Sequence, residues 1–246
     1  MNSTGTSPVV TGANILDYTS DRKHPLGSIT YTRDGRRFRY CKAGASALVV
    51  GNVIQSAAQI TTHDQLTPAA AAIGATSITA ALDATNAVVE NQYAGGWAII
   101  DTTPGEGFAY PIASHLAGAA STSVVFKLHS DAAVQVALTT SSRVTLVPNP
   151  YAGVIQCPVT TLTGAVVGIA VAPITAAYYG WIQDQGTAAV LIAGTPAVGA
   201  AVGVPATAAG AVVIDGAATS GLHVIGTMRV TGVDGKIFPV QLSGFS

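Results

Sequence analysis

Charge is what this sequence has least of. Only 9% of its 246 residues are Asp, Glu, Lys or Arg, against about 25% in an ordinary soluble domain. Aromatic residues make up 6%, and much of the 49% hydrophobic content is Ala and Val. A chain with so few charges has little with which to keep a free exterior wet and free of apolar patches. Such a composition suits a surface covered by copies of the chain or by a partner, or one made of Thr, Ser, Asn and Gln. Permanent assembly is the expectation here. Cysteine is nearly absent as well. Cys41 and Cys157 lie far apart and in no CxxC pattern, which excludes a disulfide framework and reads as two buried thiols. The opening "MNSTGTSPVV" lacks a basic region and a continuous apolar core, so no signal peptide is expected.

The net charge of −1 provides no global attraction to nucleic acid or to anionic lipid. Between Asp184 and Asp215 there is no charged residue, long enough for a membrane span. That stretch is nevertheless broken by Pro196, Pro205 and several glycines, so short strands are expected there and no membrane helix.

Catalytic patterns are missing too. The histidines at 24, 63, 115, 129 and 223 form neither HxH nor HExxH, and His63-Asp64 and His129/Asp131 read as polar loop pairs. No GxSxG elbow presents a nucleophile. "TPGEGFAY" has glycines but no lysine and no following helix, so it reads as a turn, not a phosphate loop. No enzyme, cofactor or metal site is expected.

What is present is a run of short strand signals. Segments such as "GSITYT", "SALVVGNVIQ", "GGWAIIDTT", "STSVVFKLH" and "HVIGTMRV" alternate in polarity and end at Gly, Pro, Ser or Asp. "DQG" at 184–186 and Asp234-Gly235 read as hairpin turns, and no segment keeps a helical period between caps. The fold expected is all-β: two consecutive β-barrel or sandwich-like units preceded by an extended N-terminal arm. The arm is placed at 1–27, ordered only if it lies on a neighbour. The first β domain is placed at 28–147, and the C-terminal β domain at 148–246, after the Pro148/Pro150 pair.

One stretch breaks the pattern. Seven of the eleven basic residues, Arg22, Lys23, Arg33, Arg36, Arg37, Arg39 and Lys42, lie within "RKHPLGSITYTRDGRRFRYCK". With Asp34-Gly35 as a two-residue turn, Arg33 opposes Arg36, Tyr31 opposes Phe38 and Thr30 opposes Arg39. One face then carries Ile29, Tyr31, Phe38 and Tyr40; the other carries Thr30, Thr32, Arg37 and Arg39. Arginine suits planar, bidentate contact with carboxylates. The arginine face therefore fits either contact with an acidic partner, through Arg33, Arg36, Arg37 and Arg39, or plain solvation. Nucleic acid is a weaker fit, because the aromatics face inward and Asp17, Asp21 and Asp34 offset part of the charge.

"DGRRFRYCKAGASALVVGNVIQ" resembles a segment of structural proteins of tailed bacteriophages. "NQYAGGWAIIDTTPGEGFAYPIASH", "ITAAYYGWIQDQGTAAVLIAGTPAVGAAV" and the closing "GTMRVTGVDGKIFPVQL" are similar to further segments of that group. The resemblance runs from about residue 28 to the end and implies a head decoration (cement) protein. It implies a β-rich homotrimer on the outer surface of the virion, bound to the major capsid protein, clamping neighbouring capsomers and assembled in the host cytoplasm. The family has no catalytic residues to carry over. A tail or spike component that binds a host receptor, and a secreted adhesin-type β module, are the alternatives.

Overall fold

The computed structural model describes residues 8–215 and 222–245; the first seven residues of the expected arm lie outside that range. Among the described residues there are sixteen strands, one 3-10 turn at Thr61–His63, and no α-helix. The all-β expectation holds. The strands are β1 (Ile29–Tyr31), β2 (Arg37–Ala43), β3 (Val53–Gln55), β4 (Thr67–Pro68), β5 (Ser77–Ala81), β6 (Trp97–Thr102), β7 (Ala109–His115) and β8 (Ser123–Leu128). They continue as β9 (Arg143–Val147), β10 (Ala152–Gln156), β11 (Val166–Ala170), β12 (Tyr179–Leu191), β13 (Ala201–Val204), β14 (Val213–Ile214), β15 (His223–Met228) and β16 (Ile237–Leu242).

The division into units differs from the sequential one expected. One unit takes residues 59–149, and the other takes both flanks, 6–58 and 150–246. The reason is strand pairing. β2 runs antiparallel to β12 and parallel to β10, so the basic hairpin belongs with the C-terminal half of the chain and not with 59–147. The Pro148/Pro150 pair does mark a crossing between units. The other crossing, near residue 58, lies within a run of Ser, Ala and Gln that carries no turn signal.

In the flanking unit, β2, β10, β3, β11 and β12 pair in that order, and β12 pairs back to β2, closing a five-stranded barrel. Its interior is built from all five strands: Cys41 and Ala43, Val154, Ile54, Val167, and Ile182. Each large apolar side chain so buried contributes roughly 1.5–3 kcal/mol before the entropy of ordering it is charged. β12 is thirteen residues long and serves two sheets. Its first half lies in the barrel. Its second half pairs with β16, and the sheet continues through β15, β13 and β14. This second sheet curls until Ile192 and Val212 bridge, around a core that includes Val190, Val202, Ile225 and Val240. The expected hairpin turn at 184–186 is therefore absent. The strand runs through it with a bulge at Asp184 and a left-handed Gly186 (φ 86°), which bend β12 from one sheet into the other.

Residues 8–27 do not wait for a neighbouring molecule. Pro8 and Val10 exchange backbone hydrogen bonds with Ile29, and Thr19 does the same with Tyr179. Val10, Ala13, Ile15 and Leu26 pack over Phe38, Tyr40 and Trp181. The arm is apolar at these positions because it covers an aromatic patch of its own chain.

The 59–149 unit is a six-stranded sheet in the order β4-β5-β8-β7-β6-β9. Its two edges meet where Leu66 and Val144 donate backbone hydrogen bonds to each other, each 2.9 Å. Strict alternation directs Ile78 and Ala80, Ala98 and Ile100, Tyr110 and Ile112, Val124, Phe126 and Leu128 into one core. Pro68 sits on the short strand β4, where a missing N–H is tolerated.

Candidate functional site

The basic stretch folds as a hairpin, but in a different register from the one its sequence suggests. Gly35 donates to Thr32 O at 3.0 Å and Thr32 donates to Arg36 O at 3.0 Å. Gly35 is left-handed at φ 82°. The loop is thus Arg33-Asp34-Gly35, three residues long and not two. Asp34 holds it, accepting from the Thr32 hydroxyl and from Arg36 Nε. One extra loop residue shifts every pair: Ile29 opposes Arg39, Thr30 opposes Phe38, and Tyr31 opposes Arg37. The buried face therefore carries Thr30, Phe38 and Tyr40, while Tyr31 is 56% exposed beside the arginines.

The two faces of β2 also have unexpected surroundings. Phe38 and Tyr40 point away from the barrel interior and are covered by the arm, where His24 and Trp181 pack against Tyr40 at ring distances of 5.1 Å each. Arg37 and Arg39 share the other side of β2 with Cys41 and Ala43, which line the barrel. There they meet Asp184, the bulge residue of β12, which is wholly buried. Arg37 Nε lies 2.9 Å from both carboxylate oxygens, and Arg39 Nε lies 3.0 Å from Oδ2. The hydrogen bond to Asp184 pushes the Arg37 pKa up, ahead of the opposing effect of burial. The Arg39 guanidinium also lies over the Tyr151 ring at 5.5 Å. Removing the carboxylate from such an arrangement costs on the order of 3–5 kcal/mol, because two desolvated cations are left unpaired.

The four arginines expected to act together thus divide in two. Arg37 and Arg39, with side chains 16% and 13% exposed, are bound into the barrel. Arg33 is exposed at the loop, and Arg36 pairs with Asp34 while lying over the Phe38 ring. Sequence reasoning missed Asp184. The available signal was a lone acid within the apolar strand "YYGWIQDQGTAAVLIAG".

Elsewhere the histidines are less isolated than expected. His63, far from being a loop residue, is fully buried, with Nδ1 2.6 Å from the Tyr93 hydroxyl. His115 Nδ1 donates to Leu116 O at 2.9 Å, and its Nε2 accepts the Tyr93 backbone N–H at 3.0 Å. The arrangement ties the segment around Tyr93 to β7. A shallow groove of about 390 Å³ runs beside it, lined among others by Glu90, Asn91, Leu116, Val125 and Lys127. Cys41 and Cys157 are free and buried in separate cores, and burial pushes both thiols up to about 12. Among the described residues no three His, Cys, Asp or Glu side chains converge as a metal site would require, and no helix is long and apolar enough to cross a membrane.

Comparison of the chain with protein-family models, with curated proteins and with solved structures finds no match.

Proposed function

We propose that this chain is a non-enzymatic structural protein of a virion, a decoration protein that binds the outside of an icosahedral phage head as a homotrimer. The observation that carries this reading is the character of the surface. Among the described residues, twenty large apolar side chains stand exposed, in a chain with only 23 charged residues to separate them. Some line up. On the outer face of the 59–149 unit, Trp97 lies between Val147 on β9 and Pro111 on β7, an apolar row across three strands. Trp97 is 44% exposed and Val147 36%. Aligned apolar groups of this kind favour a contact surface over a free one. The resemblance of the hairpin and later segments to phage structural proteins supplies the setting, a shell carrying many copies. Weak contacts repeated across a trimer then add up through effective concentration.

At the hairpin loop, Arg33 is exposed and Arg36, although paired with Asp34, keeps 32% of its side chain exposed. These two suit an acidic capsid surface better than the more enclosed Arg37 and Arg39. Light scattering of the purified protein is expected to give a trimer that co-sediments with empty heads. Replacing Arg33 and Arg36 with Ala is expected to weaken co-sedimentation and leave the melting temperature nearly unchanged. A monomer that ignores shells would overturn the proposal.

A further inference from the structure

We propose that Arg37 and Arg39 form a receptor for one carboxylate-type oxyanion, with Asp184 as the residue that positions them. Each guanidinium has five N–H donors. Asp184 uses the Nε–H of both, and Gly27 O takes one from Arg39 Nη1 at 3.4 Å. Among the described residues, Arg37 Nη1 and Nη2 and Arg39 Nη2 make no hydrogen bond. The two side chains keep 16% and 13% of their surface exposed, so neither is fully sealed. The forked ends of two immobilised guanidiniums are thus left with donors to spare among the described residues.

Charge argues the same way. Two cations meet one carboxylate, and no other acid pairs with either arginine among the described residues. Among the described residues the paired side chains sum to one positive unit, where the arginines are 16% and 13% exposed. An excess charge at so enclosed a position is costly unless an anion joins it. A monovalent, planar group offering two oxygens matches both the residual charge and the fork. Tyr151 beneath Arg39 and Tyr31 opposite Arg37 give the site an aromatic flank. Because Nε is already engaged, the ligand would bind end-on through the Nη groups. The carboxylate has two sources, an acidic side chain on a protein partner or a small acid free in solution. The proposal goes beyond the shell-binding reading and does not depend on it, since free acetate needs no shell.

The test is titration of the full-length protein with sodium acetate at constant ionic strength, chloride as the control, followed through the arginine Nε–Hε resonances. Saturable shifts confined to Arg37 and Arg39 are expected with acetate and not with chloride. A Glu-containing peptide is the second probe. Tighter binding of the peptide, with acetate competing, assigns the site to a partner side chain; binding of acetate alone assigns it to a free acid. Arg37→Lys keeps the charge but loses the fork, and is expected to weaken binding roughly tenfold. If that variant does not fold, the wild-type titration still decides. Resonances of Arg37 and Arg39 that respond to neither probe, or respond equally to chloride, would overturn the proposal.

Discussion

His115 shows how one side chain couples the 59–149 unit to pH. With Nδ1–H donating to Leu116 O and Nε2 accepting from Tyr93 N–H, the ring is neutral as it sits, and a second proton would face an N–H donor. Desolvation by burial lowers its pKa below the ordinary 6.5, outweighing the hydrogen bond to Leu116 and the nearby Glu90. The folded state therefore binds a proton less readily than the unfolded chain. Its contribution to stability is fully present above about pH 6.5 and is lost as the pH falls through the lower folded value. Thermal unfolding between about pH 7.5 and 5 should show a declining melting temperature. In His115→Gln that decline should flatten; an unchanged slope would place its origin in another group.

At the scale of elements, β12 and the hairpin depend on glycine for different reasons. Gly35 is left-handed in open space, so Gly35→Ala meets only the backbone cost, about 1–2 kcal/mol. Gly186 is left-handed too, and a Cβ there would lie 2.9 Å from Arg36 Cγ and 3.2 Å from Arg36 Cα. Gly186→Ala should therefore cost clearly more, on the order of 2–4 kcal/mol. Denaturant unfolding of the two variants checks the order, and equal losses would mean the bulge adapts. The same bulge carries Asp184, so its distortion should also disturb the Arg37 and Arg39 contacts.

For the whole molecule, the 59–149 unit is an insertion between two strands that are already neighbours. β3 and β10 pair antiparallel, Gln55 with Ile155 and Ile54 with Gln156, so the insertion occupies the place of their connecting turn. Joining Ala58 to Pro150 by a short Gly-rich link should leave a cooperatively folding barrel, by near-UV circular dichroism and thermal unfolding. Residues 59–149 expressed alone should fold too, since their edge strands close on each other. A barrel that melts without cooperativity would show that the insertion is needed for folding. The net charge of −1 also hides a segregation. The insertion has six acids (Asp64, Asp83, Glu90, Asp101, Glu106 and Asp131) against Lys127 and Arg143, a net of −4. The flanking unit, with nine basic residues and six acids, carries the balance of +3. The basic stretch is thus the larger part of one unit's charge, and much of it is spent on Asp34 and Asp184.

The sequence by itself determined that this is a β protein with an amphipathic basic hairpin, two buried thiols and a crossing at Pro148/Pro150. Alternation, turn residues and sparse charge are local signals, and each reads directly into a strand, a loop or a surface. Tertiary structure alone decided the rest. A two- or three-residue loop at Asp34-Gly35 satisfies the same residues, yet it decides which face Tyr31 takes. Pairing of β2 with β12 spans well over a hundred residues, so no local pattern could show that Arg37 and Arg39 would meet Asp184. That pairing turned an arginine face expected at an exterior into the end of a closed barrel.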